Sequence, residues 1–256
     1  MTASDASRMN PCLSKLVAPP GTTHRIVAFP SAGGTVSSFR SWTSCLPREC
    51  ELFAVQLPGR QKRSREAPLR QLDAAVGEIL PAIAALGHFA TTFVGDCMGA
   101  IIAYETIRAA AAEALPLPHR LVVSCCPAPH VRPRRRMMHG LSEEDLIADV
   151  TAHGLAPSWL LQDVATLRAF LPLLRCDYEL IETYRHAAGG PIGVPITVFA
   201  ASEDTLTPRD DLSQWRCHTS REFDLVDVSG GHQVATTRPE ALLRHMPWLS
   251  LSDAGA

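Results

Sequence analysis

The chain has 256 residues, of which 46% are hydrophobic and 20% are charged, so it is long enough for one well-cored domain and too balanced in composition to be disordered or fibrous. Its formal net charge of -2 and its sequence pI of about 6.5 argue against a nucleic acid or an anionic membrane surface as the main partner. No stretch reaches the roughly 18 to 20 apolar residues that a membrane span requires.

The two ends of the chain differ in composition from its middle. Residues 1–24 are predicted to be an N-terminal extension, and residues 251–256 are predicted to be a tail. The extension has no continuous apolar run, which argues against a signal peptide and makes the cytoplasm the expected compartment. The eight cysteines are scattered without a C-x-x-C pair, so no metal site is expected, and most of these thiols are expected to be small packing residues.

From residue 25 onward, short apolar runs alternate with segments of helical periodicity. Strands are predicted at residues 25–30, 50–57, 88–95, 119–125, 195–200 and 222–228. Helical segments are predicted at residues 37–46, 72–86, 98–112, 208–217 and 234–249, and the polar, basic residues 61–70 are typical of a solvated loop. This alternation predicts an α/β fold in which helices cover both faces of a mostly parallel sheet.

The alternation stops between about residues 127 and 191. Helices are predicted there at 142–153, 162–174 and 176–186, without an intervening strand. A helical insertion at this point of the chain would lie over the carboxyl edge of the sheet as a lid. Because no linker-like composition brackets both of its ends, the insertion is assigned to a single domain over residues 25–250.

One stretch, residues 92–105, has the pattern of a buried strand, a sharp turn and a helix. The turn reads Gly95-Asp96-Cys97-Met98-Gly99, which matches the G-x-S-x-G nucleophile elbow except that cysteine replaces serine. In such an elbow the flanking glycines let strand and helix approach each other without a side-chain clash. Cys97 is therefore the candidate nucleophile, although a small cysteine between glycines could also serve packing alone.

Three further loops follow predicted strands at the same edge of the sheet. Asp204 follows the fifth predicted strand, and His232 follows the glycine pair after the sixth. The chain order of nucleophile, acid and histidine matches that of α/β-hydrolases, so Asp204 is expected to orient His232, which would take the proton of Cys97. The small residues 31–34 follow the first strand, and their backbone N–H groups could face a developing negative charge.

Taken together, these motifs resemble the type II thioesterase family of nonribosomal-peptide and polyketide pathways, over residues 25–249. The resemblance rests on the segments Phe29-Pro30-Ser31-Ala32-Gly33-Gly34, Gln56-Leu57-Pro58-Gly59-Arg60, Gly95-Asp96-Cys97-Met98-Gly99-Ala100, Leu171-Pro172-Leu173-Leu174-Arg175-Cys176-Asp177 and Gly230-Gly231-His232. It implies an α/β-hydrolase fold with a mobile helical lid and an oxyanion hole formed by the N–H groups of Ala32 and Met98. It also implies a monomer without a bound cofactor, whose substrates are acyl or aminoacyl thioesters on the phosphopantetheine arm of acyl or peptidyl carrier proteins.

The chain departs from the family pattern at three positions. Members usually carry serine at the position of Cys97, histidine at that of Asp96 and often histidine at that of Ser31. An acyl group on Cys97 stays a thioester, so its transfer to another thiol remains reversible, whereas an acyl group on serine is an oxoester that water removes. The sequence thus favours a Cys97-dependent acyl transferase, including an off-loading or cyclising one; an editing thioesterase and a non-catalytic carrier-protein binder remain the alternatives.

The surroundings of the site are less defined by sequence. Asp96 either packs against the neighbouring strand or receives the ammonium group of an aminoacyl substrate. Trp159, Phe170 and Tyr178 line the acyl pocket or belong to the lid core, because their helical spacing fits both. A basic cluster near the lid entrance is either a solvated surface or a contact for an acidic carrier protein; it comprises Arg132, Arg134, Arg135 and Arg136.

Overall fold

The computed structural model describes residues 10–132, 136–156, 160 and 162–249. Its centre is a seven-stranded sheet with the order β1-β3-β2-β4-β5-β6-β7, in which β1 is antiparallel to β3 and the other neighbours are parallel. The strands are β1 (Leu13–Val17), β2 (His24–Phe29), β3 (Cys50–Val55), β4 (Thr91–Asp96), β5 (Arg120–Ser124), β6 (Ile196–Ala201) and β7 (Phe223–Val228).

The six parallel strands confirm the predicted ones to within a few residues. Strands β2, β3, β4 and β6 are buried along their whole length, which explains why they appear in the sequence as continuous apolar runs. Strand β1 corrects the sequence analysis, because it lies inside the predicted N-terminal extension. Its sequence, LSKLV, is short and half polar, as suits an edge strand that has one neighbour and partial exposure.

Helices cover both faces of the sheet, as predicted. On one face, α1 (Leu72–Ala84) and α2 (Met98–Ala112) pack in a core cluster with alternate strand residues such as Val27 and Phe93. On the other face, the 3-10 helix Val36–Ser44 and the short helices near the C-terminus pack against Val94 and Phe199. Adjacent strand positions therefore point into different cores, as the pleat of a strand requires.

Two predicted helical regions differ in the structure. The segments predicted at 162–174 and 176–186 form one helix, α4 (Val164–Thr183), in which Pro172 is accommodated. Proline cannot donate a backbone hydrogen bond inside a helix, and the packing of an apolar stripe along α4 offsets this loss. The stripe belongs to the apolar core of the inserted region, called the lid core below, and consists of Leu167, Leu171, Leu174 and Tyr178. The single helix predicted at 234–249 is instead α6 (Val234–Thr237), α7 (Pro239–Leu243) and a 3-10 turn. Pro239 disfavours helical geometry at Arg238, and the chain therefore breaks between α6 and α7.

The loop predicted as solvated is partly buried. Arg63 is a buried side chain whose guanidinium donates to Glu66 and, at 2.8 Å, to Glu78 on α1. A charge can be buried here because two carboxylates satisfy its donors, which polarity along the sequence does not reveal.

The segment between β5 and β6 is helical and lies over the sheet edge. It contains the 3-10 turn Met138–Gly140, α3 (Glu143–Ala152) and α4, which share a third apolar cluster with one another. Helix α5 (Arg209–Ser213) and a 3-10 helix (Gln214–His218), which replace the helix predicted at 208–217, follow β6. Within the described ranges, no helix combines the length and the apolar character needed to cross a bilayer.

A buried ion pair ties the lid to the sheet. The guanidinium of Arg60 donates to both carboxylate oxygens of Asp177 on α4, at 2.8 and 2.7 Å, and the two residues are 4% and 1% exposed. The same carboxylate accepts the Gly33 N–H at 2.7 Å, and Arg60 also donates to the Gly34 carbonyl at 3.1 Å. One bidentate pair thus holds together the loop after β3, the loop after β2 and the lid helix.

We predict that Asp177→Asn lowers the free energy of unfolding by about 3–5 kcal/mol, because it leaves the Arg60 charge buried without a counter-charge. Urea denaturation followed by circular dichroism measures the change. The matched control is Asp227→Asn, which breaks the exposed Arg209–Asp227 pair and should have no measurable effect. Equal stability of the two variants would contradict a structural role for the buried pair.

Candidate active site

The turn between β4 and α2 holds Cys97 in a strained conformation. Its φ of 48° and ψ of -115° are rare for a residue with a side chain. The turn is held by hydrogen bonds on both sides: the Cys97 N–H donates to the Ser124 carbonyl at 2.9 Å, and its carbonyl accepts the Ala100 N–H at 3.0 Å. The side chain is partly exposed and lines a cavity, so the predicted nucleophile is accessible.

Both glycines of the elbow are required by close backbone approach. A Cβ on Gly95 would lie 2.2 Å from the Ala100 Cα, and a Cβ on Gly99 would lie 2.0 Å from the Phe29 carbonyl oxygen. Neither contact is possible, because both partners belong to the backbone of packed elements. The pattern around Cys97 therefore reflects the packing of a helix directly on two strands.

The three residues predicted as a triad come together at the carboxyl edge of the sheet. The His232 Nδ1 atom lies 3.0 Å from Asp204 Oδ2, and the other oxygen of Asp204 accepts the Leu206 N–H at 2.9 Å. His232 and Cys97 line the same cavity, and Cys97 is one of the groups that raise the pKa of His232. The imidazole is thus placed between a carboxylate and a thiol, the arrangement in which it can take a proton from one while being oriented by the other.

The charges within this triad stabilise one another. Burial lowers the pKa of His232, but the negative charge on Cys97 and the hydrogen bond to Asp204 outweigh burial and raise this pKa well above its usual value. Burial raises the pKa of Asp204, but the hydrogen bond and charge of His232 outweigh it and lower this pKa below its usual value. Asp204 therefore stays ionised and favours the imidazolium that forms when His232 accepts a proton.

The groups predicted to form an oxyanion hole face the same cavity. Ala32 and Met98 line it together with Cys97 and His232. Met98 is the first residue of α2, so its N–H has no partner within the helix and lies at the positive end of the helix dipole. The loop that carries Ala32 is held by Asp177 through Gly33. Their role in stabilising an oxyanion stays a prediction.

Asp96 and Ser31, two positions at which the chain departs from the family pattern, contact each other. Asp96 is 1% exposed and hydrogen-bonds Ser31, and its Oδ1 atom has no hydrogen-bond partner among the described residues. Burial raises the pKa of Asp96 to about 6, although His232 and Ser31 act in the opposite direction. Its side chain lies on the sheet face of Val94, outside the cavity lining, so the cavity does not support the ammonium interpretation.

The cavity between the sheet edge and the lid has a volume of about 690 Å³. Tyr178 of α4 lines it, as predicted, and so do Cys125 and Cys126. Phe170 packs at Gly33, where an added Cβ would lie 2.7 Å from its ring, and is part of the lid core. Trp159 lies outside the described residues.

The predicted basic cluster is only partly described. Arg132 lines the cavity and Arg136 lies 3.9 Å from Asp145, while Arg134 and Arg135 also lie outside the described residues.

A group of histidines at the same cavity was not found from sequence. The Tyr104 hydroxyl lies 3.0 Å from His218 Nδ1, and His218 Nε2 lies 2.7 Å from His130 Nδ1. The His186 ring packs edge to face on His218, with centroids 4.9 Å apart. These residues are far apart in the chain and no local motif marks them, so only the folded structure brings them together.

We predict that Gly99→Ala prevents correct folding, since its Cβ would overlap the Phe29 carbonyl oxygen. Soluble yield and near-ultraviolet circular dichroism measure the outcome. Gly77→Ala is the matched control in α1, where nothing lies within 4 Å of an added Cβ, and it should stabilise the protein by about 0.5–1 kcal/mol. A well-folded Gly99→Ala protein would contradict the close approach of α2 and β2.

We also predict a pH dependence from Asp96. Because its folded pKa of about 6 lies above the usual 3.8, the folded state binds this proton more tightly than the unfolded state, and stability falls as pH rises from about 4 to 7. Asp96→Asn should remove this loss, so its stability relative to wild type should rise across the same range. Ser31→Ala removes an interaction that lowers the pKa of Asp96, so the loss of stability should occur at higher pH in this variant. The free energy of unfolding, measured by urea denaturation at each pH, checks both variants. Curves of stability against pH that run parallel for Asp96→Asn and wild type would contradict the raised pKa of Asp96.

Comparison with known proteins agrees with this geometry. The thioesterase domain family model matches residues 24–249. The chain is 32% identical over 208 residues to the gramicidin S biosynthesis protein GrsT of Aneurinibacillus migulanus. The aligned region covers 81% of this chain and 81% of GrsT. It is 33% identical over 216 residues to the thioesterase PikA5 of Streptomyces venezuelae, covering 83% of this chain and 76% of PikA5.

Solved structures give the same result for the fold. The type II thioesterase BorB from the borrelidin biosynthetic cluster superposes with a TM-score of 0.84 at 29% identity, over 93% of this chain and 96% of BorB. The thioesterase RedJ from the prodiginine pathway of Streptomyces coelicolor also has a TM-score of 0.84, at 31% identity, over 92% and 95% of the two chains. The chain therefore belongs to the thioesterase family and has the α/β-hydrolase fold, and type II thioesterases of nonribosomal-peptide and polyketide pathways are among its relatives.

Proposed function

We propose that this protein accepts acyl or aminoacyl groups from carrier proteins as a covalent thioester on Cys97 and passes them to another carrier thiol or a small nucleophile. The observation that carries the proposal is a cysteine at the elbow, on the same cavity as His232, whose Nδ1 atom lies 3.0 Å from Asp204. The relatives are named as thioesterases of biosynthetic pathways, which supports thioesters as substrates.

A carrier-protein substrate is supported by the relatives and is compatible with the site. A phosphopantetheine arm is long and narrow, and it presents its thioester at the end of the arm. Cys97 lies at a cavity of about 690 Å³ beneath the lid, so the arm can deliver the carbonyl to the thiol while the acyl group occupies the cavity. The residues named here supply the nucleophile, the base and the oxyanion donors, and this chemistry needs no cofactor.

In the first half-reaction, His232 holds the proton of Cys97, and the Cys97 Sγ atom attacks the thioester carbonyl. The negative oxygen of the tetrahedral intermediate is stabilised by the N–H groups of Ala32 and Met98. The carbon–sulfur bond to the arm breaks, His232 returns the proton to the leaving thiol, and the acyl group remains on Cys97. In the second half-reaction the acceptor thiol loses its proton to His232, attacks the acyl carbonyl, and Cys97 leaves and regains the proton.

Sulfur at position 97 supports acyl transfer over editing hydrolysis. The acyl-Cys97 bond is a thioester like the substrate, so its transfer to a second thiol is nearly balanced in free energy. With serine the acyl group would be an oxoester, and return to a thiol would be uphill. The second candidate, editing hydrolysis by water, is favoured by the relatives titled as type II thioesterases. Binding without catalysis is disfavoured by the contact of His232 with Asp204 and Cys97.

The proposal is tested by intact mass spectrometry of the protein after mixing with acyl- and aminoacyl-loaded carrier proteins, followed by a chase with an unloaded carrier. We expect an adduct on Cys97 that moves to the second carrier faster than it is lost to water. Release of free acid without loading of the acceptor would make the protein an editing thioesterase. The absence of both adduct and turnover would leave only carrier binding.

Variants separate the roles within the same experiment. Cys97→Ala should form no adduct, and Cys97→Ser should retain an acyl group that is not transferred to thiols. His232→Ala should slow adduct formation by about 10²–10⁴-fold, as for the loss of a general base. Cys45→Ser, which alters an exposed cysteine outside the cavity lining, is the matched control and should behave as wild type.

A further inference from the structure

We propose that His130, Cys217 and His218 form a binding site for a divalent transition-metal ion such as Zn²⁺, separate from the catalytic residues. The potential ligand atoms of these three side chains all lie within 4.8 Å of one another. They come from two segments: His130 follows β5 at the start of the inserted region, whereas Cys217 and His218 end the 3-10 helix after α5.

The two imidazoles can hold one metal ion after a small adjustment. His218 Nε2 and His130 Nδ1 face each other at 2.7 Å, and two nitrogens bound to one tetrahedral zinc ion at about 2.0–2.1 Å would be about 3.3 Å apart. One ring must therefore retreat by roughly 0.6 Å. His130 is exposed and can move, whereas His218 is buried among Tyr104 and Trp215 and is held in place.

The donor set selects the class of metal. Two imidazole nitrogens and a thiolate suit Zn²⁺, Co²⁺ or Ni²⁺, whereas Mg²⁺ and Ca²⁺ prefer oxygen ligands. The second ring nitrogen of His218 already lies 3.0 Å from the Tyr104 hydroxyl, and a partner of this kind fixes the orientation of metal-binding histidines. Three protein ligands leave one coordination position for water or another ligand.

The position of the site indicates what a bound ion would do. Tyr104 lies seven residues after Cys97 along α2, a rise of about 10 Å between their Cα atoms, and its hydroxyl lies 3.0 Å from His218. His130 lines the cavity, together with His186. A bound ion would thus join the start of the lid region to the segment after α5 and set the shape of the cavity away from Cys97.

The experiment uses the full chain, freed of metal by dialysis against a chelator and titrated with Co²⁺. We expect one equivalent to bind with tetrahedral visible absorption and a thiolate-to-cobalt charge-transfer band, and Zn²⁺ to displace it. Cys217→Ser should abolish the charge-transfer band, and His130→Ala should weaken binding by at least 10–100-fold. Both side chains are exposed, so neither change should unfold the protein, and near-ultraviolet circular dichroism checks this.

Two matched controls come from the same chain. Cys45→Ser removes another exposed cysteine, and His153→Ala removes a histidine of the lid that bonds only within α3 among the described residues. Both should bind Co²⁺ as the wild type does. The proposal is overturned if no cobalt binds, if the charge-transfer band survives Cys217→Ser, or if the control variants lose it. A band that persists in Cys217→Ser would place the metal at other thiols, including those beside His232.

Discussion

The buried pair of Arg60 and Asp177 is the interaction on which the site depends. Its carboxylate accepts the Gly33 N–H, and its guanidinium reaches the Gly34 carbonyl, so the loop that carries Ala32 is held from both sides. Asp177 also belongs to α4, the longest helix of the lid. A buried ion pair contributes little net stability by itself, but the loss of either partner leaves an uncompensated charge. The pair therefore fixes the lid, the sheet and the loop in one arrangement.

A second constraint is the elbow itself. Cys97 is kept in an unfavourable backbone conformation because α2 packs directly on β4 and β2, and the absence of a Cβ at Gly95 and Gly99 permits that contact. This geometry would be the same for a serine. What cysteine changes is chemical, because an acyl group on sulfur is a thioester whereas an acyl group on serine is an oxoester.

The cavity joins two chemically different regions. One contains Cys97, His232 and Asp204, and the charges of His232 and Asp204 stabilise one another. The other contains three histidines and a tyrosine, which contact one another through hydrogen bonds and ring packing. The lid helix α4 covers the cavity through Tyr178 and is anchored by Asp177. The two groups of side chains therefore lie at different parts of the same cavity.

The sequence by itself determined the parallel strands, α2, the elbow and the order Cys97, Asp204, His232, because each is written in a local pattern of apolar runs, glycines and loop residues. It failed where the outcome depends on partners far along the chain. Strand β1 needs the edge of β3, α4 continues through Pro172 because its apolar stripe packs in the lid core, and Arg63 is buried because Glu78 meets it. The pairing of Arg60 with Asp177 and the gathering of His130, Cys217 and His218 were decided only by the tertiary structure, because packing, not local preference, brings these side chains together.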